Sequence, residues 1–113
     1  MSDNCLFCKI IQGQIPAAKL YEDEDVLAFA DINPQAPTHF LVIPKKHLAG
    51  PGAVEEANQP LIGKVMRLGA EIARNRGVDS FRFVVNNGAD AGQTVFHFHL
   101  HVLGGRSMAW PPG

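Results

Sequence analysis

Three of the chain's five histidines fall between positions 97 and 101, in His97-Phe98-His99-Leu100-His101-Val102-Leu103. Polar and apolar residues alternate strictly there. A strand repeats every two residues, so the three imidazoles are expected on one face, with Phe98, Leu100 and Val102 on the other. An ordinary solvent-facing strand would use Thr, Lys, Glu or Ser; imidazole three times running points to chemistry. Two chemistries are open. Three histidines can hold a metal, as in catalytic zinc sites. Alternatively, one attacks as a nucleophile while its neighbours donate hydrogen bonds to an anion. Same-face residues on one strand lie ~7 Å apart, so two adjacent imidazoles can share an ion but three in line converge poorly. The two cysteines, Cys5 and Cys8, form a second group. They are too few and too close for a secreted disulfide framework, which leaves metal or redox chemistry. A thioredoxin-like role lacks its βαβ context.

The elements that must position these residues follow from periodicity and punctuation. Cys5 to Ile11 reads as a short helix, stopped by Gly13 and Pro16. Leu20 to Glu22 and Val26 to Asp31 read as strands around the acidic turn Asp23-Glu24-Asp25. Thr38 to Ile43 is a β-prone run ended by Pro44. Gly50-Pro51-Gly52 is loop. Leu61, Val65, Leu68 and Ile72, with Ile62, Met66 and Ala73 beside them, form one apolar helix face starting near Pro60. Arg74, Arg76 and Gly77 mark its end. Phe81 to Val85 is a further strand, Asn87 to Gln93 a loop, and Val95 to Leu103 the last strand. The tail from Gly104 to Gly113, with Trp110, is irregular. Closely spaced strands cannot be joined by parallel crossovers, so an α+β domain with a mainly antiparallel sheet is expected.

Composition narrows the function classes. With 113 residues, 46% of them hydrophobic and 19% charged, the chain reads as one globular domain spanning residues 1–113. Ten basic residues against eleven acidic ones give a formal charge of −1. That balance provides no field to capture duplex nucleic acid. Apolar runs of a few residues exclude a spanning helix, so no membrane is expected. Met1-Ser2-Asp3-Asn4 lacks the basic and apolar regions of a signal peptide, which makes the cytoplasm the expected compartment.

The pattern His-φ-His-φ-His-φ-φ, with φ apolar, resembles the signature of the histidine-triad (HIT) family of nucleotide hydrolases and transferases. Residues Asp31 to His47, Gly92-Gln93-Thr94-Val95-Phe96 and Leu103-Gly104-Gly105-Arg106 through Gly113 are similar to its Hint branch. The likeness covers residues 5 to 113. It implies a HIT fold, a five-stranded antiparallel sheet with one long and one short helix, dimerising into a continuous sheet. It also implies a purine nucleoside 5′-phosphoramidase that releases AMP or GMP through a nucleotidyl-histidine intermediate. A neutral imidazole is a competent nucleophile near pH 7, and two displacements replace one harder step.

By the same resemblance, His99 is the nucleophile and His101 a donor to a phosphate oxygen. His39 is a further active-site histidine; on bare sequence its same-face neighbours Leu41 and Ile43 make it a partly buried, hydrogen-bonded side chain. Asn86, Gly92 and Thr94 line the α-phosphate, with the Thr94 hydroxyl near the leaving group, where Hint relatives mostly carry serine. Asp31 accepts from both ribose hydroxyls. Phe7, Ile10, Phe29 and Ile32 form the apolar slot around the base, although taken alone they read as ordinary core. Cys5, Cys8, His47 and His97 resemble a closed, structural Cys₂His₂ zinc site of the wider superfamily. Many eukaryotic Hint proteins lack the cysteine pair and bacterial ones often retain it. Such a metal would fix His97 and, through the shared strand, His99. The resemblance further implies a two-fold homodimer whose C-terminal tail reaches the partner's site. Two other functions compete: a dinucleoside polyphosphate hydrolase, which Asn86 and the tail Ser107 to Gly113 oppose, and a nucleotide-binding regulatory scaffold with incidental hydrolysis.

Overall fold

The computed structural model describes residues 4–113; Met1, Ser2 and Asp3, part of the stretch inspected for a signal peptide, lie outside the described residues. Five strands form one antiparallel sheet: β1 (Lys19–Glu22), β2 (Val26–Ala30), β3 (Thr38–Pro44), β4 (Phe81–Val84) and β5 (Leu100–Gly104). Their spatial order is β1-β2-β3-β5-β4. The two helices are α1 (Leu6–Ile11) and α2 (Gln59–Asn75). This is the expected α+β arrangement of a five-stranded sheet with one long and one short helix.

The alternation of side chains along the strands splits the core in two. Val26, Ala28, Phe40, Val42, Leu100 and Val102 face α2 and pack against Val65, Leu68, Ile72 and Ala73. Leu27, Phe29, Leu41 and Ile43 point the other way and meet Phe7, Cys8 and Ile10 of α1. One face of the sheet is therefore buried scaffold, and the other carries α1 and the histidines.

Helix α2 starts with proline in its first turn and ends at Asn75, with Arg76 as its cap and Gly77 next at φ +79°. That left-handed position suits glycine and stops the helix where the sequence indicated. Its backbone lies close to the sheet at Gly69, where a Cβ would stand 3.2–3.3 Å from Leu100, Phe83 and Val102. Met66, expected beside the apolar face, turns outward and is exposed. In the β1–β2 turn, Asp23 accepts from the Asp25 and Val26 amides, the Tyr21 hydroxyl and the Lys64 ammonium. Burial raises its pKa, but these donors outweigh burial and hold the carboxyl well below its usual range.

One element differs from its expected extent by more than a residue at either end. The sequence predicts the last strand from Val95, yet its ladder begins at Leu100. Residues just before Leu100 are diverted to other partners: the Phe98 amide donates to the Leu48 carbonyl at 2.6 Å, and the His97 ring to the Pro44 carbonyl. The alternation nonetheless persists. Phe98 joins Leu100 and Val102 on the α2 side.

Candidate active site and metal cluster

Beside α1 the sheet opens into a cleft of about 380 Å³. Its lining includes Phe7, Ile10, Phe29, Asp31, Ile32, Asn86, Gly92, Thr94, His99 and His101. Every residue that the resemblance assigned to nucleotide binding therefore meets in one place. Leu6, Ala30, Leu41 and Val95 complete the wall and were not singled out from the sequence; each is an apolar residue with no chemical signature of its own. Phe29 and Ile10 are buried, whereas Ile32 is fully exposed at the cleft rim.

Hydrogen bonding sets the state of each imidazole. A carbonyl oxygen only accepts, so the 2.8 Å contact between His99 Nδ1 and the His97 carbonyl places a proton on Nδ1. A neutral His99 then carries its lone pair on Nε2. The edge of the ring lies against Phe7, with centroids 5.2 Å apart at 85°. His99 is thus held between a backbone acceptor and an aromatic wall.

The neighbouring pair runs in the opposite sense. The Gln35 amide donates to His39 Nδ1 at 3.0 Å, so that nitrogen is bare and Nε2 carries the hydrogen. His39 Nε2 then donates to His101 Nδ1 at 2.9 Å. His101, accepting at Nδ1, keeps its own hydrogen on Nε2 and is a donor. Register explains the meeting: His39 lies opposite Leu103 and Leu41 opposite His101, so the two histidines are diagonal neighbours on one face. Asp31 Oδ2 stands 3.4 Å from His39 Nε2 and 3.9 Å from His101 Nδ1. Burial is the main cause that lowers the pKa of His101 to about 4; His99 and His39 push the same way and Asp31 opposes. Burial also lowers His39, again against Asp31. Both rings are neutral at pH 7.

Behind the cleft, Cys5, Cys8, His47 and His97 bring their ligand atoms within 4.8 Å of one another. His97 Nε2 donates to the Pro44 carbonyl at 2.7 Å, which leaves Nδ1 bare. That nitrogen lies 3.3 Å from Cys5 Sγ, 3.5 Å from Cys8 Sγ and 3.1 Å from His47 Nδ1. Cys8 Sγ is 3.3 Å from His47 Nδ1. A tetrahedral ion with usual Zn–S and Zn–N distances separates its ligands by roughly 3.3–3.8 Å, close to this spacing. The cysteines are 6% and 1% exposed and His97 is fully buried, so a bound ion would be closed to substrate. The donor set fits a structural metal.

The site residues thus fall in two groups. The cleft holds His99, His101, Thr94, Asn86, Gly92, Asp31 and the apolar wall, with His39 directly behind His101. His97 belongs to the Cys/His cluster and reaches the cleft through its carbonyl bond to His99 and its edge contact with Phe7. Trp110, in the tail, is 82% exposed and lies beside the Arg82 guanidinium.

Comparison with known proteins agrees with this architecture. The family model described as "HIT domain" matches residues 12–108. A HIT-like protein of Synechocystis is 52% identical, with all of both chains covered. The 14 kDa zinc-binding protein of Zea mays is 48% identical over 96% of this chain and 87% of its own. Among solved structures, a HIT family hydrolase from Legionella pneumophila superposes with a TM-score of 0.95 at 49% identity. That match covers 97% of this chain and all of the other. A HIT family hydrolase from Clostridium thermocellum gives 0.93 at 42% identity, covering 96% of each chain. With the fold, the histidine arrangement and these likenesses in agreement, the chain belongs to the HIT family.

Proposed function

We propose that the protein is a Hint-type hydrolase that cleaves the P–N bond of purine nucleoside 5′-phosphoramidates. The observation that carries this reading is the opposed polarity of the two cleft imidazoles: an Nε2 lone pair on His99 beside an Nε2–H on His101. His99 Nε2 attacks the α-phosphorus, the P–N bond breaks, and the nitrogen leaves as an amine with a proton taken from solvent past Thr94. Water then attacks the phosphorus and gives up a proton to solvent, the P–Nε2 bond breaks, and the nucleoside monophosphate departs. In both steps His101 Nε2–H and the Asn86 and Gly92 region stabilise charge developing on the phosphoryl oxygens. Asp31 accepts from the ribose diol, and a deoxy analogue leaves that carboxylate without its partner.

Zinc is the ion best suited to Cys5, Cys8, His47 and His97, and the zinc-binding maize relative supports that choice. Bound there, it would tie α1 and its cap to the segments that follow β3 and precede β5, and would supply no substrate chemistry. A homodimer also belongs to this reading: among the described residues β4 has a neighbour on one side only, and Trp110 offers a large exposed apolar surface. Sedimentation at micromolar concentration separates dimer from monomer.

Turnover of an adenosine phosphoramidate beside diadenosine polyphosphates tests the substrate class. Preference for the polyphosphates would overturn it. His99→Ala is expected to abolish turnover while AMP still binds, and wild type to yield a nucleotidyl adduct on His99. Substantial activity in that variant would remove the nucleophile assignment and favour a binding scaffold.

A further inference from the structure

Four polar side chains are buried among the described residues: His39, His97, His99 and Gln93. The histidines have roles above; Gln93, 4% exposed, has none. Its amide is fully engaged. Oε1 accepts from the Gly88 amide at 2.8 Å, while its own backbone amide donates to the Gly88 carbonyl at 3.1 Å. The loop from Gly88 to Gln93 is thereby closed on itself. Nε2 donates to the Ala49 carbonyl at 2.7 Å and to the Val95 carbonyl at 3.1 Å. Ala49 lies two residues beyond His47, and Val95 two residues before His97.

The surroundings are shaped to admit this amide. A Cβ on Gly50 would stand 3.2 Å from both Nε2 and Oε1 of Gln93 and 3.1 Å from Asn87 Oδ1. At Gly52 it would approach Asn87 Oδ1 to 2.9 Å, and the Gly52 amide donates to that oxygen at 2.7 Å. The 49–52 segment and the 86–94 loop are therefore joined by two side-chain amides, the buried Gln93 and the exposed Asn87, with glycines permitting the approach. Gly92 and Thr94, the residues on either side of Gln93, line the cleft.

We propose that Gln93 is a positioning residue: it holds Gly92 and Thr94 at the phosphate and ties that loop to the two segments carrying His47 and His97. It touches no substrate. The inference rests on the proposed phosphoramidase reading. Displacing donors by about an ångström can cost ~100-fold in rate, whereas contacts to base and ribose lie on other elements.

Gln93→Leu removes all three side-chain bonds; Gln93→Glu keeps the acceptor for Gly88 and loses both donations. In Gln93→Leu, kcat for an adenosine phosphoramidate is expected to fall ~30–100-fold, with adenosine affinity within about threefold of wild type. Gln93→Glu is expected to lose rate in the same way. Exchange of the Gly88 amide hydrogen should accelerate at least about tenfold in Gln93→Leu and less in Gln93→Glu, while β2 and β3 amides stay protected. Parallel loss of adenosine binding and kcat, or unchanged kcat, would overturn the proposal. Should Gln93→Leu fail to fold, Gln93→Glu is judged by the same criteria. If wild type itself does not turn over the phosphoramidate, the functional reading fails, and Gln93 is decided by Gly88 exchange: unchanged exchange overturns it.

Discussion

His97 and His101 stand four residues apart on the same side of one chain segment, each inside a cluster that distance alone would call a metal site. Cys5, Cys8, His47 and His97 converge within 4.8 Å, and so do Asp31, His39 and His101. Their outer hydrogen bonds have opposite sense. At the first cluster a carbonyl, from Pro44, takes the distal N–H of His97 and leaves a bare nitrogen facing two sulfurs and another imidazole. At the second an amide, from Gln35, occupies the distal nitrogen of His39 and commits the facing nitrogen to donate to His101. A ligand imidazole needs the first arrangement, and a relay of hydrogen-bond donors needs the second. One backbone group in each cluster, at His97 in the first and at His39 in the second, decides which chemistry that cluster suits.

The largest expected effect comes from cutting the relay. His101→Gln should lower turnover by ~10²–10³-fold, since a donor to the developing charge is lost, with metal content and melting temperature nearly unchanged. Single-turnover rates beside thermal melts check both halves. A variant with full rate would break the distinction between the two ends.

The opposite dissociation is expected at the other end. Cys8→Ser should lower the melting temperature by about 10 °C or more and the rate by less than ~10-fold, because a closed site supports the fold. Calorimetry with parallel kinetics reads it. A variant of unchanged melting temperature with abolished turnover would assign the metal cluster to chemistry.

Much of this was legible in the sequence, and the reason is local. Alternation along His97 to Val102 depends only on strand period, so the shared face of the histidines follows even though residues 95–99 leave the ladder. The spacing of Leu61, Val65, Leu68 and Ile72, with Pro60 and Gly77, likewise bounds α2. What could not be read from residue types alone is convergence across distance. Cys8 meets His47 and His97 across separations of 39 and 89 residues, and only family likeness joins them. Gln93 and the Gln35 amide act on backbone or through it, which leaves no signature in side-chain chemistry. The start of β5 is not legible because the competing carbonyls, of Pro44 at the end of β3 and of Leu48 just beyond it, are distant in sequence.

A smaller effect separates the ends by pH. The folded-state pKa of His101 is lowered to about 4 and that of His39 is lowered too, so between pH 6.5 and 4 the unfolded chain binds more protons than the folded one. The His101 contribution to stability is complete above pH 6.5 and is lost as pH falls towards 4, by roughly 1–3 kcal/mol, and His39 acts in the same direction. His101→Gln should flatten the dependence of the denaturation midpoint on pH between 7 and 5. An unchanged slope would mean that His101 does not remain neutral in the fold.

The most direct test of the contrast is metal content by elemental analysis of protein purified without a polyhistidine tag, for wild type, Cys8→Ser and His39→Ala. The two-ended wiring gives about one zinc per chain in wild type, close to none in Cys8→Ser and about one in His39→Ala. Two ions in wild type, an ion lost with His39, or none at all would contradict it.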